Sequence, residues 1–313
     1  MTIVRLLGAI ADQMARELGS PIDVLRPDRG LVPVIVSSPH SGQIYPPELL
    51  RAVRLHPSQL RRLEDAFVDH LFDMAPKLGI PLLRARFARA YVDVNREAAE
   101  FDQDLLDEPL PDYAKGQSAK AKAGLGTVPS RIAGQPIYRE RLSLDDVEHR
   151  VRRAYWPYHH ALQKLVDEGQ RRFGQVLLLD CHSMPSFSAN GSLSLDAAAG
   201  GMIDIALGDR FGSSCAPSIV HQTESFLAAR GLRVTRNRPY AGGHITSHYG
   251  QPHIGVHTLQ IEIRRGLYMD ETQYRPLGAL DGFKTILSDL LDMLVGLMSD
   301  SAQRDRLKAV PAE

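Results

Sequence analysis

The chain has 313 residues, with 37 basic and 37 acidic side chains, 43% hydrophobic and 24% charged residues. That balance excludes disordered and collagen-like chains, and without a basic excess there is nothing to hold a nucleic-acid backbone. Cys181 and Cys215 are the 2 cysteines, too few for a disulfide scaffold or a thiolate zinc site. A metal would have to draw on carboxylates and on the 12 His.

Arg5, Asp12, Arg16 and Glu17 interrupt any apolar core near the start. No stretch reaches the ~18 apolar residues of a membrane span. A soluble cytoplasmic protein without nucleic-acid or membrane partners is expected.

Residues 3–18 have helical periodicity and predict a peripheral helix within 1–28. Val32 to Val36 is a continuous apolar run that stops at Ser37-Ser38-Pro39-His40-Ser41-Gly42, the pattern of a buried strand feeding a loop. Leu60, Leu63, Phe67, Leu71 and Met74 recur at helical spacing and predict a helix over 57–77. Residues 80–95 predict two strands. In the second, Arg89, Tyr91, Asp93 and Asn95 alternate with Ala90, Val92 and Val94. Residues 102–136 hold Pro109, Pro111, Lys115, Lys120, Lys122, Gly124 and Gly126 and predict a long mobile loop or lid.

Ser143 is a candidate N-cap for a helix over 144–172, with Asp145, Asp146 and Glu148 in its first turns. Val176 to Leu179 is a second buried run, ending in Asp180-Cys181-His182-Ser183. A loop from Asp209, a helix near 217–230 and a strand from Leu232 to Thr235 follow. Gly242-Gly243-His244 opens another loop. Thr258 to Arg264 alternates as a strand, and 277–298 is a long amphipathic helix. Strands alternating with helices, without repeats or linkers, predict one α/β domain over 1–313.

In open α/β sheets ligands sit beyond the carboxyl ends of the strands. His40 and His182 each follow an apolar strand, which makes them candidate metal ligands. Ordinary hydrogen-bonded loop histidines are the alternative. A catalytic zinc commonly takes two His and a carboxylate. The nearest acids are Glu64 and Asp65, which on a helix would point about 100° apart, so at most one could face the site. Glu262 shares a strand face with Gln260 and Arg264. It is either a general base activating water or a structural partner of Arg264 or Arg265. Arg89, Asp93, Asn95 and Arg96 form a polar cluster that can fork onto a carboxylate or polarise a carbonyl. Gly242 and Gly243, with His244, can offer backbone N–H groups to a ligand. There is no P-loop, no Gly-x-Gly-x-x-Gly after a strand and no Gly-x-Ser-x-Gly elbow. Cys181 beside His182 points to the opposite strand face, so it belongs to the core rather than to a Cys–His pair.

Taken together, the motifs resemble the N-formylglutamate amidohydrolase family. They are Ser38-Pro-His-Ser-Gly42, the Asp65 segment with Val68-Asp69, Tyr91-Val-Asp-Val-Asn-Arg96, Trp156-Pro-Tyr-His159, Leu179-Asp-Cys-His-Ser183, Asn237-Arg-Pro-Tyr-Ala-Gly-Gly243 and Gln260-Ile-Glu-Ile-Arg264. The resemblance runs from about residue 30 to 290. It implies a fold like that of the zinc carboxypeptidases and aspartoacylases: a mixed, mostly parallel sheet with helices on both faces. It implies one Zn2+, or another divalent metal, held by His40, His182 and an acid from the Glu64-Asp65 pair. Aligning Val68-Asp69-His-Leu-Phe-Asp73 to the family pattern favours Asp65, with Glu64 as the alternative. Glu262 matches the family's general base and acid, and Asn95-Arg96 its carboxylate-binding pair.

The implied reaction is hydrolysis of an N-acyl amino acid, foremost N-formyl-L-glutamate to formate and glutamate in histidine degradation. A broader N-acyl-amino-acid or small-peptide amidohydrolase, or a metal-binding protein without catalysis, are the alternatives. The Lys- and Gly-rich segment 102–136 departs from the family pattern, which leaves the acyl group open.

Overall fold

The computed structural model describes residues 18–28, 30–116, 118–186, 195–196 and 201–309. Most of the helix expected over 3–18 lies outside them. Seven strands make the main sheet: β1 (Ile22–Leu25), β2 (Val34–Ser38), β3 (Leu82–Ala85), β4 (Val176–Met184), β5 (Ile205–Gly208), β6 (Val234–Arg236) and β7 (Val256–Arg264). Their order is β1-β3-β2-β4-β7-β5-β6. The pairs β2–β4, β4–β7 and β5–β6 are parallel, and β7–β5 is antiparallel. The sheet is therefore mixed and mostly parallel, as the family resemblance implies. No helix of the described residues is long and apolar enough to cross a membrane.

Contacts group the chain into two compact units that interleave in sequence. Among the described residues, one draws on 18–23, 39–66 and 84–160, the other on 24–38, 67–83 and 161–309. The second holds the centre of the sheet. Val34, Val36, Leu177, Leu179, Leu259 and Ile261 are completely or almost completely buried there, which is why these strands read as near-continuous apolar runs. The helix Leu280–Ala309 packs on Pro217–Ala228 and on β2, burying Leu287, Leu290, Leu291 and Leu294. The first unit buries aromatic residues instead, among them Tyr45, Phe87, Tyr91, Tyr155 and Tyr158.

Several expected elements differ, each for a local reason. The helix expected over 57–77 is broken. Pro57–Leu60 is helical and Arg61–Leu63 is a 3-10 turn, but Glu64 is extended (φ −71°, ψ 146°). Phe67 takes a left-handed φ of 65° before Val68–Leu71 resumes. Helical spacing of apolar residues survives across the break, so periodicity alone does not reveal it. The strand expected over 89–95 is turn and irregular backbone. Both alternating sets are buried there, except Arg89, so the period of two is not a one-sided face.

β4 continues through Asp180, Cys181, His182 and Ser183 to Met184, so His182 is a strand residue and not a loop residue. The helix expected over 144–172 is interrupted by a π turn at Val151–Tyr155, between Leu144–Arg150 and Trp156–Phe173. Its N-cap is as expected: the Ser143 side chain accepts from Asp146 N–H. Residues 102–136, expected as a loop or lid, contain a 3-10 turn at Gln103–Leu105, a helix at Ala119–Lys122 and a hairpin of Arg131–Ile132 with Gln135–Pro136. His244, expected in a loop, opens the short helix His244–Tyr249.

Candidate metal centre and its surroundings

In the first unit the chain leaves β2 at His40. Gly42 must be glycine, because a Cβ there would lie 2.2 Å from the Phe87 carbonyl oxygen. The Asp65 N–H donates to the His40 carbonyl at 2.9 Å, which brings the two side chains together despite their separation in sequence. His40 Nδ1 lies 3.2 Å from Asp65 Oδ2, and His40 Nε2 lies 2.8 Å from Asp93 Oδ1.

Asp93 is nearly completely buried. Burial alone would raise its carboxyl, but Arg89, His40 and Arg96 outweigh that and hold it well below the usual carboxylate range. An ionised Asp93 can only accept hydrogen bonds, so the His40 Nε2–H donates to it, while Nδ1 faces Asp65. Arg89 donates to Asp93 through Nε at 2.8 Å, and its Nη2 is also 2.8 Å away. The Asn95 N–H donates to Asp93 Oδ1 at 2.8 Å.

The segment around Asp93 has no ladder to hold it, and other side chains and loops take that part. The Asp93 N–H donates to the Thr127 carbonyl at 2.7 Å. Tyr155 OH donates to the Arg96 carbonyl at 2.8 Å, and His159 Nε2 donates to the Val94 carbonyl at 2.8 Å. Tyr155 and His159 flank the end of the π turn, whose extra residue shifts the helix phase so that both rings reach this backbone. Arg96 donates through Nε to the Leu125 carbonyl at 2.8 Å and through Nη1 to the Asn95 carbonyl at 3.1 Å. Segment 118–130 is thus tied directly to Arg96 and Asp93. Gly126 is obligatory in it, since a Cβ would meet the Glu100 carbonyl oxygen at 2.2 Å.

Lys120, which sequence reasoning placed only in a lysine cluster, lies within electrostatic reach of Arg96, Asp93, Glu100 and Arg89. Although the residue is exposed, its ammonium is pushed down, by burial first and by Arg96 second.

In the second unit β4 and β7 run parallel with Gln260 opposite Asp180 and Glu262 opposite His182. His182 Nε2 lies 3.0 Å from Asp180 Oδ2, so this histidine too has an acid on Nε2. The signal for Asp180 is in the sequence: residues two apart on a strand share a face. Gln260 Nε2 donates to Glu262 Oε1 at 2.9 Å. Arg264, the first alternative partner of Glu262, forks onto Asp204 at 2.7 and 3.2 Å. Arg265 donates to Ser183 Oγ at 3.1 Å.

Among the glycine and histidine candidates, the Gly243 N–H is already committed to Gln260 Oε1 at 2.9 Å. It is therefore not the open ligand donor expected from the sequence. Gly242 has a φ of 115°, and the His244 ring stacks on His248 at 5.1 Å.

His40, Asp65 and His182 each offer a ligand atom within 4.8 Å of the others, and all three residues are buried. The donor set fits a divalent ion of borderline softness. Two atoms each ~2.0–2.1 Å from a shared tetrahedral ion lie roughly 3.3 Å apart, and His40 Nδ1 and Asp65 Oδ2 are 3.2 Å apart. Both histidines keep a carboxylate on Nε2, the arrangement that fixes ring orientation at metal sites. Glu64 is held otherwise: Tyr45 OH donates to its Oε1 and Arg61 Nε to its Oε2. Of the acidic pair, it is Asp65 that joins the two histidines.

The fold and this group define an α/β protein with a buried site suited to one metal ion. Residues 32–269 match the family model described as N-formylglutamate amidohydrolase, and the chain belongs to that family. It is 31% identical to the N-formylglutamate deformylase of Pseudomonas aeruginosa over 87% of this chain and 96% of that one. It is 30% identical to the N-formylglutamate deformylase of Pseudomonas putida over 90% and 99%. In structure it is similar to the N-formylglutamate amidohydrolase of Ralstonia eutropha JMP134, with a TM-score of 0.82 and 33% identity over 92% of this chain and all of that one.

Proposed function

We propose that this chain hydrolyses N-formyl-L-glutamate to formate and L-glutamate, in histidine degradation, with one zinc or similar divalent ion held by His40, Asp65 and His182. The observation that carries the reading is the buried His40–Asp65–His182 group, with Glu262 in register beside His182. The names of the relatives support the substrate.

When bound, the metal supplies Lewis acidity toward a carbonyl oxygen and toward water. Glu262 accepts the proton of the attacking water as the new C–O bond forms, and delivers it to the amide nitrogen as the C–N bond breaks. Asp93 and Asp180 hold the outer nitrogens of the two histidines, so the inner nitrogens keep their lone pairs for the metal. Arg96 and Asn95 anchor a substrate carboxylate. Arg96 Nη2 makes no hydrogen bond among the described residues, which leaves it available. Arg89 and Lys120 add positive charge for a doubly anionic substrate on a chain with no net charge.

The test is a panel of N-formyl-L-glutamate, N-acetyl amino acids and dipeptides, assayed with and without chelator. We expect N-formyl-L-glutamate to be turned over best, with loss on chelation and recovery on adding zinc. Equal rates across the panel would replace this reading with a broad N-acyl-amino-acid hydrolase. Activity indifferent to chelation with no bound metal would remove the metal from it.

A further inference from the structure

We infer that Gln260 is a positioning residue for Glu262, its carboxamide fixing the carboxylate that carries the proton. The inference rests on the reading of Glu262 given above. Gln260 lies two residues before Glu262 on β7, on the same face, and both are buried, as is Thr246. Its amide is oriented without ambiguity. The Gly243 N–H can only donate, so the atom 2.9 Å from it is the acceptor Oε1. Thr246 Oγ1 donates to the same oxygen at 3.4 Å. The NH2 end must then face Glu262, where Nε2 donates to Oε1 at 2.9 Å.

A donor fixed at one carboxylate oxygen sets the side-chain torsions of Glu262. The neighbouring strand repeats the arrangement in register. Asp180 supports His182 from two residues upstream as Gln260 supports Glu262, and each supporting residue lies opposite the other. Gln260 also links Glu262 to the turn at Gly242 and Gly243. The commitment of the Gly243 amide therefore has a use, although it is not to bind a ligand.

The test is a double-mutant cycle with Gln260→Glu and Glu262→Gln, reading kcat, KM and bound metal on N-formyl-L-glutamate. Gln260→Glu keeps an acceptor for Gly243 and Thr246 but puts an oxygen where the donor was. We expect kcat to fall about 10- to 100-fold, the scale of one hydrogen bond to a charged group, with KM and metal content within about twofold of the parent. In the Glu262→Gln background the same change should cost nothing further, because a residue acting only through Glu262 has nothing left to position. Gln260→Met, which removes both polar ends at similar length, reads the same quantities if the glutamate variant does not fold.

Normal kcat in both Gln260 variants, or a full additional loss in the Glu262→Gln background, overturns the inference. Undiminished turnover by Glu262→Gln alone overturns the parent reading, and this one with it. Impaired Glu262→Gln with unimpaired Gln260 variants overturns only this one.

Discussion

His182 and Glu262 stand on adjacent strands, whereas His40, Asp65 and Asp93–Arg96 stand on irregular backbone. The strand pair takes its geometry from the ladder. Register sets Glu262 opposite His182, and the period of two sets Asp180 and Gln260 beneath them. The irregular side has no ladder, and its positions come from single hydrogen bonds scattered along the chain, from Asp65 N–H, Thr127, Leu125, Tyr155 and His159. Residues on the strands should therefore respond to substitution at the functional position itself. Residues on the irregular side should respond also to changes far from the chemistry.

The largest expected effect is loss of a ligand. His182→Ala should lose bound metal, and activity with it, by more than any other variant named here. Metal analysis of the purified variant checks this, and full retention would remove His182 from the ligand set. Next comes Glu262→Gln, which keeps size and shape but cannot shuttle a proton. We expect fold and metal to survive while kcat falls by ~10²–10⁴. Unfolding with loss of metal would instead assign Glu262 a structural role.

The supporting acids come third. Asp93→Asn and Asp180→Asn should each weaken metal binding by about 10- to 100-fold, measured by competition with a chelator. If the two regions are as different as argued, Asp93→Asn should also raise KM, because Arg89 and the Asn95 N–H lose their anion. Asp180→Asn should leave KM alone. Equal KM effects would show that the two regions hold their residues in the same way.

A smaller effect tests the irregular side from a distance. Gly126→Ala forces a methyl group against the Glu100 carbonyl and moves the backbone that holds Arg96. Stability should fall by about 1–3 kcal/mol. KM should rise several-fold, and bound metal should be unchanged. An unchanged KM would mean that segment 118–130 does not set the position of Arg96.

The same contrast decides what can be read from sequence. The apolar runs Val34–Val36, Val176–Leu179 and Leu259–Ile263 announce buried strands, and the alternation of residue types in β7 is enough to put Gln260 and Glu262 on one face. Asp180 was legible by the same rule. The irregular side was legible only in residue types. The apolar spacing over 57–77 hides the break at Glu64, because the left-handed Phe67 lets buried residues keep a helical rhythm without a helix. The run 89–95 alternates, yet both sets are buried, Arg89 excepted. Asp93 serves His40 through a contact 53 residues away in sequence, and Lys120 comes within electrostatic reach of Arg96 from the short helix Ala119–Lys122, in a segment that composition marks only as a loop. The π turn at Val151–Tyr155 has its signal in Pro157, which brings no N–H to the Arg153 carbonyl four residues back, where an α-helix would need one.

The smallest expected effect concerns the two thiols, and it tests how closed the strand region is. Cys181 lies between Asp180 and His182 on β4 but on the opposite face, completely buried. Burial, then Asp180, push its thiol well above the usual range. Cys215 is completely buried too, and burial, then Asp209, push its thiol up. The thiolate is the reactive form, so an alkylating reagent at neutral pH should leave both unmodified, by mass spectrometry, until the protein is unfolded. Rapid labelling of Cys181 in the native enzyme would show that β4 opens, and the strand side would no longer be the rigid one. For Cys215 the upward shift also carries a sign. Below pH ~8.5 the thiol is protonated in the folded and unfolded chain alike, and stability is unaffected. Above it the unfolded chain releases the proton and the folded chain does not, so stability falls as pH rises, by at most about 1.4 kcal/mol per pH unit. Cys215→Ala should remove its share of that slope in denaturant titrations between roughly pH 8.5 and 10, leaving the share of Cys181, whose thiol is raised as well. An unaltered slope would mean that the Cys215 thiol ionises as readily folded as unfolded.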